Sequence, residues 1–173
     1  MTVKYLEALK NHIYGPSEES LLNGLAVGLS MSLVAVADNR ITKEEVRYMR
    51  REIKTHVDLD DEQMQLLVDF CLGHVIQRNF RWNELTEFLP HLKTSLNILQ
   101  KQDLITSLFI ISRSDLEMSR EENKLIERIA LEIDLEQEMT QLLEKIQQTI
   151  LDNKLNPPSD EYEIVHGADK FNL

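Results

Sequence analysis

Asp38-Asn39-Arg40-Ile41-Thr42-Lys43-Glu44-Glu45 and Asp115-Leu116-Glu117-Met118-Ser119-Arg120-Glu121-Glu122 follow one pattern. Each opens on Asp, carries an apolar residue three positions on and a hydroxyl residue next, and closes on Glu-Glu. Each also follows an apolar run, Leu21 to Ala37 before the first and Leu104 to Ile111 before the second. Such an echo marks a duplicated helix-loop-helix unit. It continues past the octets: Asp58-Leu59-Asp60-Asp61-Glu62 is answered by Asp134-Leu135-Glu136-Gln137-Glu138, and Leu66-Leu67 by Leu142-Leu143. The predicted units cover about residues 20–80 and 101–150.

Working outward, the spacing predicts helices nearly throughout. Thr2 caps a first helix through about Ile13, which Gly15-Pro16 ends. The run from Leu21 to Ala37 is apolar on nearly every side, but too short and too polar for a membrane span, so it reads as a buried central helix. Gly24, Gly28 and Ser32 recur every fourth residue and make a stripe where another helix can come close. Further helices are expected from Thr42, from Asp58-Glu62, around Glu84 to Leu89 ending near Pro90, from Leu92 to Gln100, and from Ser119 to Leu131. Strand signals are poor. The reading is all-α with a pseudo-twofold axis: one domain over 1–152, then an irregular polar tail over 153–173, either mobile or draped on the core.

The bulk numbers narrow function by exclusion. A formal charge of −11 over 173 residues disfavours nucleic acid and anionic membranes and favours cations and basic partners. The single Cys71 rules out an intrachain disulfide and reads as a small core residue. Met1 to Glu7 lacks the apolar stretch of a signal peptide, so a cytoplasmic location is expected.

The octets carry the chemistry. Laid on a calcium loop, Asp38 and Glu45 take two of the ligand positions, but Val34 and Val36 fall where oxygen ligands are needed. Ile111 and Arg113 fall there in the second copy. Each octet is therefore at most half a cation site. Thr42-x-x-Glu45 and Ser119-x-x-Glu122 also match the capping box, in which hydroxyl and carboxylate satisfy the first free amides of a helix. Capping alone and capping plus a divalent cation (calcium or magnesium) both stand at this point. The candidate metal ligands are Asp38, Glu45, Asp115, Glu117 and Glu122.

An apolar helix ending in Ala-Asp, followed by a turn residue, an apolar residue, Thr or Ser, and Glu, resembles the TerB-like (tellurite-resistance) family. Ala35-Val36-Ala37-Asp38 through Glu45 carries this resemblance and Ser114 through Ile126 repeats it, within a likeness covering roughly Ser20 to Ile150. Asn39 and Leu116 depart from the usual Gly of that turn. The resemblance implies a compact bundle of about seven helices with an internal twofold. It also implies a role in stress response, with acidic residues suggested to bind divalent metal and no established catalysis.

Other constellations are weaker. His12, His56, His74, His91 and His166 form no H-x-x-x-H pair and no Glu-x-x-His motif, and most are expected at the surface or boundary. Trp82, between Arg81 and Asn83, is expected in a docked connector. The leading expectation is a non-enzymatic module acting through protein partners, with a membrane-associated stress complex as the candidate. The alternative is a metal-dependent enzyme with carboxylates converging from several helices.

Overall fold

The run that begins at Leu21 becomes the central helix α2, Glu18–Ala35, in the computed structural model, which describes residues 2–37, 40–112, 120–152 and 160–171. Ser17 starts it, its hydroxyl accepting the Ser20 amide at 3.2 Å. Around it lie α1 (Thr2–Lys10), α3 (Lys43–Lys54), α4 (Asp61–Gln77), α5 (Trp82–Leu85), α6 (Leu89–Ser95), α7 (Ile98–Ser112), α8 (Arg120–Glu132) and α9 (Met139–Asp152). The chain is all-α: among the described residues the only pairing of extended backbone is a single antiparallel bridge between Thr42 and Glu161. The order α2–α3–α4 recurs as α7–α8–α9; the internal twofold itself stays an expectation.

The small-residue stripe positions the core. A Cβ added at Gly24 would stand 2.6 Å from Val57 Cγ1, and one at Gly28 would stand 2.8 Å from Cys71 Sγ. Glycine thus lets α2 close onto α4 and the turn after α3. Cys71 is fully buried there, and burial pushes its thiol pKa up. Asp60 begins α4 through a capping box with Gln63, whose amide donates to Asp60 Oδ1 at 2.8 Å.

Two expected helix boundaries are corrected. Pro90 does not end a helix but sits in the first turn of α6, where its missing amide hydrogen costs nothing. The helix expected from Leu92 to Gln100 is broken at Leu96-Asn97. Asn97 Oδ1 accepts the Gln100 amide at 3.0 Å and Gln100 Oε1 accepts the Asn97 amide at 2.9 Å, a local cap that starts α7.

The C-terminal residues 160–171 are draped on the first unit. The Tyr162 amide donates to Ile41 O at 2.9 Å and the Lys43 amide to Asp160 O at 3.3 Å. A 3-10 turn, Ala168–Phe171, then buries Phe171 edge-on to Phe70, ring centres 4.8 Å apart. Gly73 makes the room: a Cβ there would stand 3.3 Å from Ala168 N.

Candidate functional site

Thr42 and Glu45 of the first octet form a capping box. Thr42 Oγ1 accepts the Glu45 amide at 3.3 Å, while Glu45 Oε2 accepts from the Thr42 amide at 2.7 Å and the Thr42 hydroxyl at 2.8 Å. Glu45 is 5% exposed, so these bonds offset the desolvation of its carboxylate. Glu122, third residue of α8, is buried to the same degree. Asp38, Asp115 and Glu117 lie outside the described residues, as does Ser119. Of the five candidate ligands, then, Glu45 and Glu122 are placed, each in the first turn of its helix.

A second polar centre lies between α3 and α7. Glu52, near the end of α3, reaches inward, and Ser107 Oγ of α7 donates to its Oε2 at 2.7 Å. Its other oxygen, Oε1, stands 3.6 Å from His56 Nε2. The His56 side chain is 2% exposed and that of Glu52 11%. Both facing atoms are buried and neither makes a hydrogen bond. Glu52 and Ser107 line a cleft of about 440 Å³ with Tyr48, Asp103 and, from α9, Lys145. Asp103 feels this surrounding: partial burial raises its pKa, the Glu52 carboxylate raises it further, and His56 opposes them.

A third centre is Asp69, fully buried in α4. Its Oδ1 accepts from Tyr162 OH at 2.8 Å and Gln65 Nε2 at 2.9 Å, and its Oδ2 from the His166 amide at 2.9 Å. Burial and the bond to Asp69 push the Tyr162 hydroxyl up to about 12. The centre is structural: it ties the tail to α4. One turn on, His74 is 1% exposed, with Nδ1 2.6 Å from Phe70 O. Burial lowers its pKa. The expectation that most histidines sit at the surface or boundary holds for His12, His56, His91 and His166 and misses His74, which the rings of Tyr5 and Phe70 cover.

The other face of the second unit is open. Leu131 of α8 is 52% exposed and Leu143 of α9 39%. With half-buried Met139 they floor a groove of about 470 Å³, rimmed by Lys124, Glu127, Arg128 and Glu136. The Arg128 guanidinium lies 4.3 Å over the ring of Trp82, which is half-buried at the start of α5.

Sequence reasoning missed Glu52, His56, Asp69 and Asp103. The signal for the first pair was present as Glu52-x-x-x-His56, a spacing that puts two side chains on one helix face. No local pattern announces Asp69, whose partners lie in the tail.

Among the described residues no helix is long and apolar enough to cross a membrane. Nor do three His, Cys, Asp or Glu side chains stand close enough there to enclose an ion as they are. A family model described as "Tellurite resistance protein TerB" matches residues 24–145. Comparison with curated proteins and with solved structures finds no match.

Proposed function

As the chain belongs to the tellurite resistance protein TerB family, we propose that it works as a non-enzymatic stress-response module that binds a protein partner and holds a divalent cation weakly at its acidic loops. The observation that carries the partner reading is the α8–α9 groove. Large apolar side chains rarely gather on a solvent-facing surface without a use, and Leu131 and Leu143 do so on a protein of charge −11. The occupant this surface suits is an apolar segment of a partner with basic flanks, such as the amphipathic helix of a membrane-associated stress complex.

A photoreactive side chain placed at Leu143 tests this, with the same group at Val3, exposed on α1, as control. Leu143 should cross-link a partner in cells, Val3 should not, and Leu131→Asp should remove the cross-link without changing helix content. Equal capture at both positions would refute the groove.

The cation part rests on the acids of the two octets, Asp38, Glu45, Asp115, Glu117 and Glu122. Glu45 and Glu122 already serve or flank helix starts, so few oxygens are left for an ion and affinity should be low. Calorimetry with calcium and magnesium should give heat with wild type and less with Asp38→Ala and Asp115→Ala. No heat with wild type would leave capping as the whole role.

The competing reading, a metal-dependent enzyme, draws on one observation: Glu52 and Asp103 come from different helices and line one cleft. That reading needs turnover that Asp103→Asn abolishes, whereas the partner reading needs none.

A further inference from the structure

We propose that Glu52 and His56 are two ligands of a separate site for a zinc-type transition ion, with Asp103 as the third ligand after a side-chain rotation. The first argument is distance. Two donors about 2.0 Å from a tetrahedral zinc lie about 3.3 Å apart, and Glu52 Oε1 stands 3.6 Å from His56 Nε2. A shift of a few tenths of an ångström converts one arrangement into the other.

The second argument is satisfaction. Buried polar atoms without partners are rare and costly. Here two of them, one carboxylate oxygen and one imidazole nitrogen, face each other with no hydrogen bond. Both are natural donors to a cation, and one ion between them would satisfy both. Glu52 is also held as metal ligands usually are, its far oxygen accepting the Ser107 hydroxyl at 2.7 Å.

The third argument concerns completion and selectivity. Asp103 is exposed and lines the same cleft as Glu52, on the facing helix α7. Its rotation inward would add a carboxylate, and water in the cleft would supply the rest. An imidazole nitrogen with carboxylates suits zinc and its neighbours and does not suit calcium, which takes oxygen ligands. The charged and titratable groups around the ion are then Glu52, His56 and Asp103, with Tyr48 and Lys145 lining the same cleft. The site is distinct from the acidic loops in residues and in preferred ion.

Zinc alone, titrated into the full chain against a competing chelator, tests it. His56→Ala and Glu52→Gln should each weaken zinc by at least about tenfold, since even changes behind the ligands cost roughly 10–100-fold. Asp103→Asn should show a smaller loss, and Asp38→Ala and Asp115→Ala should bind as wild type does. Unchanged zinc affinity in His56→Ala would overturn the proposal, and so would loss in the loop variants alone. Wild type supplies a second readout that does not depend on a variant folding. Zinc should shift the His56 Nε2 resonance in nitrogen NMR and calcium should leave it in place. An Nε2 resonance unmoved by saturating zinc would overturn the assignment.

Discussion

The two units of this chain use similar helices and end up in different surroundings. In the first, α4 is buried along almost its whole length, with Asp69 and His74 inside. In the second, α9 turns Leu142 and Ile146 inward but leaves Leu143 exposed, and Leu131 of α8 is half in solvent. The small-residue stripe is one-sided too. In the register of the octets, Gly24 and Gly28 correspond to Lys101 and Ile105, so only α2 admits the close approach made at Val57 and Cys71. A third layer completes the difference: residues 160–171 cover α4, while among the described residues nothing covers the α8–α9 groove. A duplicated pattern thus yields one anchored half and one open half.

The largest predicted break in that asymmetry is Asp69→Ala. The Tyr162 hydroxyl and the His166 amide would lose their acceptor, and about 3 kcal/mol of stability should go with it in urea unfolding. A loss under about 1 kcal/mol would mean that the tail adds little to the anchored half. Phe171→Ala should cost about 2–3 kcal/mol, below the roughly 3–5 of a Phe in a closed core, because a short 3-10 turn relaxes more easily than a packed helix. Gly28→Leu should cost about 1–3 kcal/mol by forcing Cys71 and Ile53 away. An unchanged melting temperature would show that α2 and α4 do not close as described.

Thr42→Ala removes the hydroxyl that starts α3 and should cost about 1 kcal/mol. A matching loss for Ser119→Ala would show that both units start alike; a null result would extend the asymmetry to their first turns. The smallest effect is that of pH. Burial lowers the pKa of His74 from its ordinary 6.5, so the unfolded chain takes up a proton that the folded chain refuses. That contribution to stability is present above 6.5 and is lost as pH falls through the depressed value. His74→Gln should flatten the fall in this window, and an identical pH profile would contradict the burial.

What could be read from the residues was what depends on near neighbours. Thr42 and Glu45 cap α3 because the two side chains and amides lie within one turn, and the stripe of Gly24 and Gly28 needs only helical period. The break at Leu96-Asn97 escaped because Asn97 caps through a Gln three residues on, within a run that otherwise keeps its period. The docking of the tail was left open, because it depends on Asp69, Gly73 and Phe70, nearly a hundred residues away. The candidate site was half legible. Glu45 and Glu122 were found through the echo, and Glu52-x-x-x-His56 was readable as a spacing. That the facing atoms of this pair are buried, and that Glu52 shares a cleft with Asp103, follows only once α7 is in place.

The central claim is that the helices of the first unit anchor the molecule and those of the second, with their open α8–α9 groove, are held less firmly. Amide hydrogen exchange on the full chain tests it most directly, since exchange reports the free energy of opening each helix. The account predicts that α2 and α4 exchange slowest, and that α8 and α9 exchange at least about tenfold faster, a gap of about 1.4 kcal/mol in opening free energy. Protection of α9 equal to that of α4 would contradict it.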